Sequence, residues 1–400
     1  MRRSKRLDLI PPYLFVKIEE KKEELVKNGV DVIDFGIGDP DLPTPEHIIA
    51  KMREVLDTKE AANYPTSKGE FVFRKAVSKW YQKRFKVELN PRDEICCLIG
   101  SKEGLAHLPL AFIDPGDVTL VPDPSYPVYK ICTTLAGGEP YLLPLTAENK
   151  FIPDLDKIPA DVLKKAKILF INYPNNPTGA SATPEFFARV VEFAKKHRLV
   201  VISDAAYAAL VYEGKPLSFL ATPGAKDVGV ELHSVSKSFN MTGWRCGFVA
   251  GNELLVRAYG DVKDNTDSGQ FLAIQHAAAY CLDHPEITQQ IAAKYSRRMD
   301  LLVAALRQAG FAAHKPKGSF FLYVPAPKAA VKKTGERIVF QTAEDASQWL
   351  ITEKLISTVP WDDVGAYLRL SVTFAAKDAA DEQRIMGELG SRLGDVRFEF

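Results

Sequence analysis

Cysteine is scarce in this 400-residue chain: five residues, an odd number, mostly with apolar neighbours. That argues against a disulfide framework and for buried thiols in a reducing compartment. The seven histidines are scattered and form no Cys/His cluster at metal-ligand spacing, so no metal site is expected. Neither sign of charge is in excess. With 52 basic and 51 acidic residues the formal charge is +1, which gives no reason to expect nucleic acid or an anionic membrane as a partner. No apolar run approaches the roughly 20 residues needed to span a bilayer. Met1 to Arg6 is basic but no apolar segment follows, so no secretory signal is expected and the expected location is cytoplasmic. Gly36-Ile37-Gly38 lacks the third glycine of a dinucleotide-binding turn, which removes NAD. No basic helix-turn-helix precedes it, and no repeat or low-complexity linker follows.

What the chain does have is apolar content of 46%, enough to bury a large core, over a length that suggests two domains. Short apolar runs at 95–99, 118–122, 168–172, 199–203, 230–235 and 246–250 are separated mainly by helix-length segments. Such alternation predicts an α/β unit whose mostly parallel sheet is covered on both faces. The run 246–250 follows its predecessor so closely that it is a candidate antiparallel neighbour. Toward the termini the pattern changes. A Glu/Lys-rich helix near 16–28 reads as a solvated face, and a long helix near 285–310 leads to strands near 318–324 and 367–373. The expected division is a large domain over 46–285 and a smaller α+β domain built from 1–45 and 286–400. Pro325 to Lys333 reads as an exposed excursion.

Four segments carry chemistry. In Ser234-Val235-Ser236-Lys237-Ser238, with Arg245 eight residues beyond the lysine, an amine stands among hydroxyls and near a cation. Hydroxyls and a guanidinium suit a phosphate dianion, and a neighbouring cation helps keep an amine neutral and nucleophilic. Alone, a lysine is ordinarily a surface charge. The run Asn172-Tyr173-Pro174-Asn175-Asn176-Pro177 ends an apolar strand in a turn from which Asn176 projects; a plain turn asparagine is the competing reading. Asp204 closes the expected buried strand Val200-Val201-Ile202-Ser203, a costly place for a carboxylate unless it meets a cation or proton donor, and Tyr207 follows three residues on. Arg369 sits inside the apolar run Tyr367 to Thr373, either as a structural ion pair or as a fork for a ligand carboxylate.

Together these segments meet the needs of pyridoxal phosphate chemistry: a reactive lysine, an acid for the pyridine nitrogen, donors to the ring oxygen, a phosphate cup and a carboxylate anchor. Over nearly its whole length the chain resembles the class I/II aminotransferases, pyridoxal 5'-phosphate enzymes of fold type I. The resemblance implies the aspartate aminotransferase-like fold, a mostly parallel central sheet flanked by helices. It implies that Lys237 condenses with the cofactor aldehyde, that Asp204 pairs with the pyridine nitrogen, and that Asn176 and Tyr207 bind the ring oxygen. Ser234, Ser236 and Arg245 would hold the phosphate, with Ser101 and Lys102 of the loop Gly100-Ser101-Lys102-Glu103-Gly104. Lys102 competes for the aldehyde but lacks the hydroxyl box and the downstream arginine. Tyr126 would stack on the ring, and Tyr64 would reach the neighbouring subunit's phosphate in a homodimer with shared sites. Ser268, within Asn265 to Gln270, is a further candidate contact across that interface. Gly38 and Tyr13 would approach the substrate and Arg369 would clamp its α-carboxylate.

The resemblance further implies ping-pong transamination between amino acids and 2-oxo acids, with freed Lys237 moving the proton. The wording of Pro12-Tyr13-Leu14-Phe15 and of Gly36 to Pro45 is most similar to the bacterial LL-diaminopimelate aminotransferase group of lysine biosynthesis, which uses 2-oxoglutarate as acceptor. Aspartate, alanine and succinyl-diaminopimelate aminotransferases share the core residues, as does a pyridoxal-dependent C–S β-lyase. No residue is marked by sequence as the receptor for the substrate's distal end.

Overall fold

The structure, a computed structural model, describes residues 2–11 and 16–400, so Tyr13 lies outside the described residues. The chain begins with α1 (Val16–Lys27), β1 (Ile33–Asp34), α2 (Glu46–Leu56) and α3 (Phe71–Phe85). Strands and helices then alternate: β2 (Ile95–Leu98), α4 (Ser101–Phe112), β3 (Val118–Asp123), α5 (Val128–Ala136), β4 (Glu139–Pro144), α6 (Ala160–Lys165) and β5 (Ala166–Asn172). The alternation continues through α7 (Pro184–His197), β6 (Val200–Asp204), α8 (Ala225–Val228), β7 (Gly229–Ser234), the one-turn α9 (Val235–Ser238) and β8 (Gly247–Gly251). Helices α10 (Glu253–Asp264), α11 (Leu272–Leu282) and α12 (Pro285–Gln308) follow. The last part holds β9 (Phe321–Pro325), β10 (Ala329–Lys332), β11 (Arg337–Val339), α13 (Ala343–Glu353), β12 (Ile356–Ser357), β13 (Val359–Trp361), β14 (Tyr367–Ser371), α14 (Ala379–Leu393) and β15 (Val396–Glu399). Among the described residues no helix is long and apolar enough to cross a membrane.

Strands β2 to β8 make one seven-stranded sheet in the order β2-β8-β7-β6-β5-β3-β4. Only β8 runs against its neighbours, as its short link to β7 requires, and its pairings with β2 and β7 are both antiparallel. Every other pairing is parallel, which sends the C-terminal ends of β2, β3, β5, β6 and β7 to the same edge. The strands are apolar on both faces because both are covered. Cys96, Leu98, Phe170, Ile202 and Leu232 pack with α4, α5 and α10 on one face. Their alternates Ile95, Cys97, Leu169, Ile171 and Val201 pack with α3, α7 and α11 on the other. All five cysteines are buried and free.

The six expected strands of this sheet lie within two residues of their expected limits. Strand β4 is outside the expected set. Pro140 and Pro144 argue against a strand, but β4 is the sheet's edge, where a missing N–H is tolerated. The expected exposed excursion at Pro325 to Lys333 is corrected: Ala326, Ala329 and Ala330 are buried. Strand β10 pairs on both sides, with β11 and β15, and its small residues fit beneath that layer.

The two ends of the chain meet through charge as well as strands. Strand β1 pairs in parallel with β12. The fully buried guanidinium of Arg298 on α12 donates to Asp41 Oδ2 at 2.9 Å, Glu382 Oε1 at 2.7 Å and the carbonyls of Val372 and Phe374 at 3.2 and 2.8 Å. Lys294 adds a 2.6 Å bridge to Asp41, and Arg297 grips Glu382 with two hydrogen bonds. Buried charges persist only when paired and hydrogen-bonded, and here the pairing joins the loop after β1, α12, α14 and the segment after β14. Arg298→Met strands two buried carboxylates with one partner each. We expect a loss of about 3 kcal/mol in stability by urea unfolding, the low end for a broken buried pair. A loss below about 0.5 kcal/mol, the scale of an ordinary surface change, would contradict this account of the joint.

Candidate active site

At the sheet edge where the parallel strands end, a cavity of about 470 Å³ opens between the β1–α2 loop and the large sheet. Ligands bind at such edges in α/β sheets because loops and helix starts converge there. Its wall includes Ser101, Lys102, Tyr126, Asn176, Asp204, Tyr207, Ser234, Ser236, Lys237, Arg245, Gly38 and Arg369. Of the residues singled out by sequence, the structure thus brings twelve into one space. Tyr64 is not in it; its ring is 88% exposed on the surface, and Ser268 is exposed as well.

Lys237 projects from α9, the single turn that caps β7. Its Nζ donates to the Gly38 carbonyl at 2.8 Å and lies 5.7 Å from the Phe320 ring. Burial lowers its pKa to about 8; Asp39 opposes that shift, while Arg245 and Arg369 add to it. Lys102, the competing lysine, is exposed at the second position of α4. Gly100 precedes that helix with φ near +76°, and a Cβ there would stand 2.3 Å from Arg245 Nη2. The positive φ favours glycine, and the bare Cα lets the guanidinium come close. Glu103 holds the turn in shape, accepting from Ile99 N at 3.1 Å and from the Tyr259 hydroxyl at 2.5 Å. Arg245 is fixed by its own Nη1 bond to Thr242 O at 2.7 Å, and its carbonyl accepts from Gln270. Ser101, Ser234, Ser236 and Arg245 thus form a donor-rich end beside a helix start, the composition an anion needs.

The opposite chemistry lies at the end of β6. Asp204 is buried; one oxygen accepts from the Tyr129 hydroxyl at 2.7 Å and the other from Ala206 N at 3.1 Å. Burial raises its pKa against the pull of these donors and of His233. Among the described residues no ion pair engages it, so its environment favours a cationic or proton-bearing partner. Asn172 ties this end to the next: its amide donates to Asp204 O at 2.8 Å, and its oxygen accepts from Asn176 N at 2.8 Å. Tyr207 packs edge-on to Phe320 and Phe321, and burial raises its phenol pKa.

Arg369 on β14 donates to Asn176 Oδ1 at 3.1 Å and to Gly36 O at 2.9 Å, with its guanidinium 4.2 Å from the Phe321 ring. It is buried, and these two contacts are to an amide oxygen and a backbone carbonyl. A Cβ on Gly38 would meet Phe321 at 2.7 Å, so only glycine lets this loop pass. Tyr129, Asn172, Asp39, Phe321 and Glu19 also line the cavity and were not marked by sequence. Tyr129 lies three residues after Tyr126, a spacing that could have marked it; nothing local points to Phe321.

The family model for class I and II aminotransferases matches residues 30–389. The chain belongs to the class I and II aminotransferase family. It is 48% identical over 399 residues to the LL-diaminopimelate aminotransferase of Methanocaldococcus jannaschii, covering 97% of this chain and 94% of the relative. It is 46% identical to the enzyme of the same name from Aquifex aeolicus over 377 residues, 92% of this chain and 94% of that one. Among solved structures, the aspartate aminotransferase of Thermotoga maritima superposes with a TM-score of 0.88 at 28% identity, covering 98% of this chain and 99% of that one. BacF from Bacillus subtilis superposes with a TM-score of 0.91 at 33% identity over 100% and 99% of the two chains. The protein is an aminotransferase of the aspartate aminotransferase-like fold.

An amine with a pKa of about 8 is mostly protonated at pH 7, and each unit of pH below 8 cuts its nucleophilic fraction about tenfold. Modification of Lys237 by trinitrobenzenesulfonate in the cofactor-free protein should rise to a plateau with a midpoint near pH 8. Arg369→Leu removes a like charge and should move that midpoint upward. A midpoint at the usual lysine value would contradict the assignment.

Proposed function

We propose that the protein is a pyridoxal 5'-phosphate-dependent LL-diaminopimelate:2-oxoglutarate aminotransferase. The observation that supports the cofactor is the set of groups in one cavity: the donors Ser101, Ser234, Ser236 and Arg245, an amine at Lys237 with its pKa lowered to about 8, and a buried carboxyl at Asp204. The residues fit the group at each point. Bound there, pyridoxal phosphate supplies an electron sink for the pair left when an α-proton departs, and a carrier for the amino group.

The chain's own residues do the rest. Ser101, Ser234, Ser236 and Arg245 bind the phosphate, with Lys102 adding charge at its rim. Asp204 holds a proton at the ring nitrogen, because an adjacent carboxylate favours the charged form. Tyr129 and the Ala206 amide hold that carboxylate in place. Asn176 and Tyr207 would donate to the ring oxygen, and Tyr126 would supply an aromatic face to the ring. Arg369 binds the substrate α-carboxylate in a planar fork, backed by Asn176 and Gly36. Lys237 takes the α-proton and returns one on the other side of the reaction, acting as base and then acid. Gly38 leaves room for the substrate; a substrate contact by Tyr13 rests on the family resemblance alone.

The choice of substrate rests on the two named LL-diaminopimelate aminotransferases, at 48% and 46% identity. We further propose the division into a large domain, 46–285, and a small one, 1–45 with 286–400, and a cytoplasmic homodimer with shared sites. A panel of amino donors against 2-oxoglutarate should rank LL-diaminopimelate above aspartate, alanine and aromatic amino acids. Arg369→Lys should lose roughly 2–4 kcal/mol of transition-state binding with donor and acceptor alike, from loss of a charge-assisted bidentate contact. A panel led by aspartate or alanine would overturn the substrate, and an Arg369→Lys penalty confined to one half-reaction would overturn the shared clamp.

A further inference from the structure

We infer that Glu19 is the specificity residue that receives the distal ammonium of a diamino diacid; this rests on the substrate proposed above. The cavity wall contains three carboxylates, on Glu19, Asp39 and Asp204. Asp204 is buried at the end of β6 and assigned to the ring nitrogen. Asp39 acts electrostatically on Lys237, so an ammonium bound to it would sit beside the reacting amine. Glu19 belongs to a different element, α1; its side chain lines the same cavity, is 38% exposed, and is not among the charges acting on Lys237, so it is open to a substrate group that reaches away from the reacting amine.

The carboxylate is also held in place. Lys22 Nζ engages Glu19 Oε2 at 2.6 Å and Asp34 Oδ2 at 3.0 Å, and Lys22 is itself only 13% exposed. One lysine shared by two acids fixes Glu19 without saturating it, since a carboxylate has acceptor sites on both oxygens. The charged face of α1, which reads as solvated in the sequence, therefore turns one acid into the cavity. Attraction and repulsion act together here. A free distal ammonium gains an acceptor, while a substrate acylated on that nitrogen with a dicarboxylic acid brings a further negative charge toward Glu19 and is disfavoured.

The test compares two donors that differ in one group, LL-diaminopimelate and L-2-aminopimelate, with 2-oxoglutarate as acceptor. In the wild-type holoenzyme the ratio of their kcat/KM values should favour the diamino acid. Glu19→Gln and Glu19→Ala should each lower that ratio roughly 10-fold, the scale of a partly exposed charge-assisted hydrogen bond, mainly through KM. A purely structural role for Glu19 lowers both donors in parallel and leaves the ratio unchanged, which would overturn the inference. Wild-type enzyme inactive on LL-diaminopimelate but active on another donor would instead overturn the substrate reading, and this inference with it.

Discussion

The short loop from Gly36 to Asp41 is the constraint to which the rest of the site is referred. Its carbonyls at Gly36 and Gly38 accept from Arg369 and Lys237, the two cations proposed to bind the substrate and move its proton. At its far end Asp41 is pinned by Arg298 and Lys294. The Ile37 carbonyl accepts from Thr373 at 2.6 Å, and Phe35 O accepts from Ser371 N at 2.7 Å. A backbone segment thus sets the separation between the amine and the carboxylate clamp, and a buried ionic joint sets the segment. Glycine is needed at 38 because Phe321, which also faces Arg369, leaves no volume for a side chain.

Electrostatics follow from that arrangement. Four cations, Lys102, Lys237, Arg245 and Arg369, line one cavity, and the pKa of Lys237 is lowered to about 8. Burial does most of this, with the two guanidinium groups adding to it. The same burial raises the Asp204 carboxyl at the other end, where Tyr129 and an amide hold its geometry. A low-pKa amine and a carboxyl seeking positive charge, in one cleft, is the pattern expected where environments push titrating groups apart for catalysis.

Much of this was legible in the sequence, for a physical reason. Chemistry placed at strand ends leaves local marks: Asp204 just beyond the apolar run 199–202, Asn176 in its proline turn, Lys237 among serines. Strands buried on both faces leave apolar runs, so the large sheet could be read to within two residues. The remainder depends on contacts distant in sequence. Phe321 reaches the cavity through the pairing of β9 with β14, and Tyr129 matters because α5 packs over Asp204. Strand β4 is hidden by prolines that only an edge tolerates, and β10 by alanines that mean little until β11 and β15 flank them. Glu19 is one acid in a run of acids and lysines; only the placement of α1 distinguishes it.

The central claim is that Lys237 is the amine around which the site is built. Borohydride reduction of the holoenzyme followed by peptide mass spectrometry tests it directly. The account predicts that the pyridoxyl label is recovered on the peptide containing Lys237. Recovery on Lys102, the other lysine of the cavity wall, would contradict it.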